Sequence, residues 1–171
     1  RRLRRLPAAW RPLVARRVHG LLAYFRRFEN ESGLLEKLES WVFVEWSKAN
    51  EFIKDVNFPT NMLYAMTLRS AARLLRDPRL AARAGRSETT GRALAWRDGR
   101  FVDQAVRDPQ GRLVVTDHAS EACQYYAFFT GLASTRREAA LWRRLVRAEY
   151  GPLYPANVFV GKIMRFERGI R

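Results

Sequence analysis

Apolar residues recur at helical spacing along much of this chain, and the breaks between the runs carry residues that start and stop helices. Pro12 suits a first turn. Leu13, Val14, Val18, Leu21, Leu22, Phe25 and Phe28 then share one side of a predicted helix from Arg11 to Phe28, with arginines facing outward. Asn30, Ser32 and Gly33 end it. From Leu34 to Pro59 the period is lost, and the stretch reads as a loop with room for a short helix or strand. Asn57-Phe58-Pro59-Thr60 opens a second helix with Met62, Leu63, Met66, Leu68, Ala72 and Leu75 on one side, and Asp77-Pro78 stops it and starts another. That third helix, Pro78 to Trp96, contains Gly85 and Gly91. Each glycine weakens a helix by ~1 kcal/mol relative to alanine, so a broken or poorly ordered helix is expected.

Phe101 to Val106 and Arg112 to Val115 are short β-like runs bracketing Asp108-Pro109-Gln110-Gly111, a type I turn sequence, and they predict a hairpin. Ser120 to Leu132 is a helix with Tyr125, Tyr126, Phe128 and Phe129 on both sides, which implies burial between neighbours. Thr135 with Glu138 reads as a capping box opening a helix to about Tyr150, closed by Gly151-Pro152, and Pro155 starts a last one. The pattern predicts an all-α fold of stacked helical hairpins, about six helices in a single domain over residues 1–171, decorated by a small β-hairpin.

A length of 171 residues with 47% hydrophobic content fits one domain with a sizeable core. No apolar run long enough for a membrane span and no signal-peptide pattern is visible, which favours a cytoplasmic location and no membrane partner. The chain does not start with Met, so an upstream signal stays open. Cys123 is alone, and His19 and His118 lack ligand-like spacing; neither a metal nor another cofactor is expected.

The net charge of +15 is the footprint of a nucleic-acid or anionic-surface binder. Of the 32 basic residues, however, only Lys37, Lys48, Lys54 and Lys162 are lysines, and the arginines run evenly through the predicted outer helix faces. A compositional preference for arginine accounts for that evenness, and no nucleic-acid partner is expected. Arg1 to Arg27 is the exception, rich in arginine and free of acids: a solvated face, a nucleic-acid contact or an acidic protein surface all fit it.

Within the irregular stretch, LLEKLESWVFVEWSKANEFIKDVNFP places Trp41, Phe43 and Trp46 among Glu36, Glu39, Glu45 and Glu51. A sugar offers a face of C–H bonds to an aromatic ring and an edge of hydroxyls to acceptors, so this composition suits a carbohydrate site; it also suits a buried strand or the rim of a helical domain. LLEKLESWVFVEWSKAN, then DVNFPTNMLYA, SEACQYYAFFTGLAS and YPANVFVGK, in that order, resemble the middle of the catalytic domain of α-L-rhamnosidase-like glycoside hydrolases, the six-hairpin glycosidases. The resemblance runs from about Pro12 to Phe166. It implies part of an (α/α)6 toroid, about half of it, from an enzyme that cleaves terminal rhamnosyl or related sugars with inversion.

The resemblance also implies that the general acid lies in an Arg-Glu-Arg-like segment upstream and the base in a Leu-Trp-Glu-like segment downstream. Neither motif occurs in this sequence. The catalytic residues are therefore unassigned, Glu45 being a weak candidate, and the chain alone is expected to be inactive and to need the remaining half of the domain as partner. By the same resemblance Trp46 takes the place of the pocket tryptophan, with Glu45 as a hydroxyl acceptor beside it. Trp41, then Glu121 and Gln124 one turn apart, and more weakly Asn157, complete the substrate-binding candidates. A basic nucleic-acid-binding helical protein and a non-catalytic helical scaffold are the alternative functions.

Overall fold

Two antiparallel helices form the backbone of the architecture. In the computed structural model, which describes residues 7–40, 42–147, 149, 151–157 and 163, α2 (Phe58–Leu75) and α3 (Pro78–Ala95) make a hairpin joined by Arg76 and Asp77. Asn57 caps α2 by accepting the Thr60 N–H at 2.9 Å, and Asp77 caps α3 by accepting the Arg79 N–H at 2.9 Å. Arg76 closes α2 in the left-handed region, with φ of 55°.

α3 is continuous through Gly85 and Gly91, against the expected break. Its inner face reads Leu80, Ala84, Ser87, Gly91, Ala95, nearly all small, so α3 lies close against its neighbours along its whole length. At Gly91 a Cβ would stand 3.7 Å from the Leu34 side chain, an ordinary contact. Tertiary burial of this face outweighs the two local helix penalties.

α1 (Arg11–Arg26) and α4 (Glu121–Thr130) pack on α2, so α2 buries a wider arc than the single side predicted: Tyr64, Ala65 and Ala71 are buried as well as Met62, Leu68 and Ala72. α1 buries only Leu22 fully. Leu13 and Leu21, expected on its inner side, are exposed, as are Trp10 and Tyr24. α4 is enclosed as predicted, capped by Ser120 on the Cys123 N–H at 3.0 Å and ended by Gly131 at φ 84°.

α5 (Ala139–Val146) starts later and ends earlier than expected. Ser134, not Thr135, makes the reciprocal bonds, and they close the turn ahead of α5: Ser134 Oγ accepts the Arg137 N–H at 3.1 Å, while Glu138 accepts the Ser134 N–H at 2.7 Å. Pro155, Ala156 and Asn157 are not helical, and most of the helix predicted beyond them lies outside the described residues. Five α-helices are thus present among the described residues.

The predicted hairpin is there as β4 (Gln104–Arg107) and β5 (Leu113–Val115), with the Gly111 N–H donating to Asp108 O at 2.9 Å across the turn. β1 (Val56–Asn57) adds antiparallel to β4, giving the order β1-β4-β5. A second hairpin, β2 (Trp96–Arg97) with β3 (Arg100–Phe101), turns through Asp98 and Gly99, both at positive φ. The single run expected from Phe101 to Val106 is therefore split at Val102-Asp103, because Phe101 pairs back onto Trp96.

Two apolar cores flank α2. One gathers Leu22, Leu35, Tyr64, Leu68, Leu80 and Ala84 between α1, α2 and α3. The other gathers Val44, Phe58, Phe101, Tyr126, Phe128 and Leu141 with Leu34. Consecutive residues Leu34 and Leu35 enter different cores, so the irregular stretch is pinned along the seam.

Candidate functional site

The irregular stretch is held by a few backbone bonds, among them the Glu36 N–H on Phe28 O and the Lys37 N–H on Asp55 O, both at 2.9 Å, and by side chains. Asn61 of α2 accepts the Leu35 N–H at 2.7 Å and donates to Leu35 O at 3.0 Å, which satisfies a buried peptide that no strand partners. Asn50 accepts the Val44 N–H at 3.0 Å, and the Tyr126 hydroxyl of α4 donates to Val44 O at 3.0 Å. A short 3-10 helix, Lys48–Glu51, closes the stretch, with the Ser47 hydroxyl accepting the Ala49 N–H. Lys37, Ser40 and Asp55 adopt left-handed backbone. Non-glycine residues pay for that conformation, and the surrounding bonds hold them in it.

These anchors carry Glu45 and Trp46 to opposite environments. Trp46 is 65% exposed, its ring edge-on to Phe43 with centroids 4.8 Å apart at 63°. Glu45 is 1% exposed and accepts the Asn157 N–H at 2.8 Å. The two neighbours therefore divide the work: the indole faces outward and the carboxylate faces the protein. Buried there, the Glu45 carboxylate clamps the Asn157 peptide onto the irregular stretch.

Glu121 plays the matching part from α4. It is buried, accepts the Ala156 N–H at 2.9 Å with one oxygen and takes the Tyr125 hydroxyl on the other. Two buried carboxylates thus bind consecutive peptide N–H groups of the segment Tyr154–Asn157. The same segment is bridged to α4 by the Glu121 N–H on Tyr154 O at 2.8 Å and the Tyr154 N–H on Ala119 O at 2.9 Å. Asn157 completes the knot by donating its side-chain amide to Trp46 O at 2.7 Å. Charge-assisted bonds of this kind are about twice as strong as neutral ones.

Gln124 lies deeper. It is fully buried, its carbonyl accepting the Phe101 N–H at 2.8 Å and its amide donating to Phe101 O at 2.7 Å and Ser120 O at 2.8 Å. The side chain stitches β3 to α4 and supports the site from behind. Trp41 lies outside the described residues. The structure therefore brings together Glu45, Trp46, Glu121 and Asn157 around one segment, and sets Gln124 beneath them.

Several contributors are not legible from the sequence. Phe52 stacks on the His118 ring at 4.4 Å and 6°, Tyr154 tilts against Phe52 at 5.3 Å, and the Lys48 ammonium lies 5.2 Å from the Tyr154 ring centre. Asp103, fully buried, accepts both the Ser120 N–H and the Ser120 hydroxyl, and so fixes the residue that caps α4. Burial pushes the Asp103 carboxyl up to about 7 in spite of those two donors. An acid inside the apolar run Phe101 to Val106 is the one sequence signal that could have marked it.

Among the described residues no group of His, Cys, Asp and Glu side chains could hold a metal ion, and no helix is long and apolar enough to cross a membrane.

The fold is similar to that of the GH78 family rhamnosidase of Bacillus sp. GL1, with a TM-score of 0.77 and 20% identity over 93% of this chain. It is also similar to the rhamnosidase from Klebsiella oxytoca with rhamnose bound, with a TM-score of 0.62 and 17% identity over 95% of this chain. The chain spans 17% of the first protein and 30% of the second. No family profile matches the sequence, and no curated protein matches it. Both of these solved structures are rhamnosidases, the group to which the sequence motifs bear their resemblance.

Proposed function

We propose that this chain is a segment of a glycoside hydrolase catalytic domain of the α-L-rhamnosidase type, forming about half of an (α/α)6 toroid and one wall of its sugar site. The observation that carries the reading is the convergence of three separated motifs on one place. WVFVEWSKAN supplies Glu45 and Trp46, SEACQYY supplies Glu121, and YPANVFVGK supplies the Tyr154–Asn157 segment that both carboxylates hold.

In this reading Trp46, with Phe43 at its edge, is the platform on which the apolar face of a terminal rhamnosyl or related sugar stacks. Glu45, Glu121 and Gln124 are positioning residues: they fix the peptide around the indole, and the hydroxyl acceptors come from elsewhere on the rim. Inversion needs two carboxyl groups ~6.5–9.5 Å apart across the scissile bond. Neither the acid motif nor the base motif of the resembled family is in this sequence, so in the intact protein both belong to other parts of the domain.

The test is hydrolysis of an aryl α-L-rhamnoside by the purified 171-residue chain beside a longer protein that includes both missing motifs. The reading expects no turnover by the chain and turnover by the longer protein, reduced by Trp46→Ala. Turnover by the chain alone that Glu45→Gln abolishes would return the proton-transfer role to Glu45 and overturn the assignment.

A further inference from the structure

Ser87 is the one hydroxyl on the buried face of α3, otherwise made of Leu80, Ala84, Gly91 and Ala95. It is 3% exposed, and its Oγ has no hydrogen-bond partner among the described residues. A helical serine commonly returns its hydroxyl to the carbonyl four residues back, as Ser70 does to Met66 O at 2.9 Å; Ser87 does not. Burying a hydroxyl without a partner is costly, so native structures satisfy nearly all of them, with ordered water where protein groups fall short.

Ser87 lines a small space where α2, α3 and α4 meet. Its apolar wall includes Phe58 and Met62 from α2, and its polar wall includes Glu88 and Thr130. About 10 Å³ is open there to the centre of a water-sized sphere, which is room for about one water molecule and for no larger ligand. Asn61 also lines the space, but its amide is engaged: it accepts the Leu35 N–H and donates to Leu35 O and Asn57 O.

The other polar groups complement one another. Thr130 Oγ1 donates its proton to Tyr126 O at 2.8 Å and so has only lone pairs to offer. The Glu88 carboxylate is paired with Arg69 and accepts on its remaining lone pairs. Ser87 brings a free O–H. A water that accepts from Ser87 and donates to Glu88 and Thr130 makes three hydrogen bonds, about the usual number for a buried water.

We propose that this space is a binding site for a single structural water molecule, held by Ser87, Glu88 and Thr130 and joining α3 to the end of α4. Size and lining select this occupant. An inorganic anion is larger than the space and would face Glu88. A metal cation would meet only one carboxylate, already paired with Arg69, and an apolar gas atom would leave the Ser87 hydroxyl unsatisfied. Arg69 of α2 also donates to Thr130 O, so the water completes a polar network through three helices.

The test is rotating-frame NOE spectroscopy of the ¹⁵N-labelled 171-residue chain, with thermal unfolding beside it. Cross-peaks between water and the Ser87 and Glu88 amides are expected, with the sign that marks proximity rather than proton exchange. Ser87→Ala should abolish them. It should also lower the melting temperature by about 2–4 °C, although alanine is the better helix former, because a bonded hydroxyl is lost. An unpartnered hydroxyl behaves in the opposite way: its removal raises the melting temperature. Absence of the cross-peaks from the wild-type chain, their persistence in Ser87→Ala, or a variant that melts higher than wild type would each overturn the proposal.

Discussion

Asp103→Asn should flatten the dependence of stability on pH between about 4 and 7. The wild-type carboxyl is fully buried, and burial raises it from an ordinary 3.8 to about 7. An acid raised in the folded state contributes stability that is fully present below the unfolded value and is lost as pH climbs toward the folded one. Linkage between those two values makes the chain about 2–3 kcal/mol less stable at pH 7.5 than at pH 5 on this account alone. Glu36 acts with the opposite sign but in a separate window. Arg107 and Asn30 hold it at about 2, so its contribution is lost only as pH falls from the ordinary 4.5 toward 2. Asparagine keeps an acceptor for the Ser120 N–H while removing the titration, at a cost of about 1 kcal/mol for a less suitable hydroxyl partner. Urea unfolding midpoints at pH 5 and pH 7.5, for both proteins, measure the difference. Equal slopes in the two proteins, or a wild type that gains stability over this range relative to the variant, would refute the reasoning.

Further outcomes follow from the same contacts. Gly91→Ala should stabilise the chain by up to ~1 kcal/mol in thermal unfolding, since the new Cβ meets Leu34 at an ordinary 3.7 Å and the helix gains propensity. Glu138→Ala should cost about 2–3 kcal/mol in the same assay: its carboxylate, with 1% side-chain exposure, holds Arg92 at 2.6 Å, Arg137 at 2.7 Å and the Ser134 N–H at 2.7 Å. Glu121→Ala should free the Tyr154–Asn157 segment, seen as faster amide exchange at Ala156, because the Ala156 N–H loses its carboxylate acceptor.

Helix starts were the most legible feature of the sequence. Asn57 before Pro59, Asp77 before Pro78 and Ser120 before Glu121 are local devices, and each caps where local chemistry places it. Gly85 and Gly91 misled for the converse reason. Their helix is decided by an inner face of small residues against α2, a tertiary fact. Asp98-Gly99 is a hairpin signal readable in the sequence, but strands of two residues give no alternating pattern around it.

In the candidate site the residues were easier to nominate than their roles. Glu45 and Trp46 are adjacent in sequence, yet one is buried and the other exposed, because Asn50 and Tyr126 anchor Val44 and Asn157 binds both neighbours. Glu121 and Gln124 share a helix side, but what each meets depends on Phe101 and Ala156, 20 or more residues away in the chain. No spacing rule carries that information.

The outward indole of Trp46 is the centre of the functional account, and a sugar titration tests it most directly. In a ¹H–¹⁵N spectrum of the chain, L-rhamnose should shift the Trp46 indole resonance ahead of the other tryptophans, while D-glucose does so less. Trp46→Ala should weaken rhamnose binding about tenfold, from lost apolar contact. It should also leave the melting temperature nearly unchanged, because a side chain 65% exposed contributes little to the core. A Trp46 resonance indifferent to rhamnose, or a Trp46→Ala protein that melts far earlier and binds sugar as before, would contradict the account.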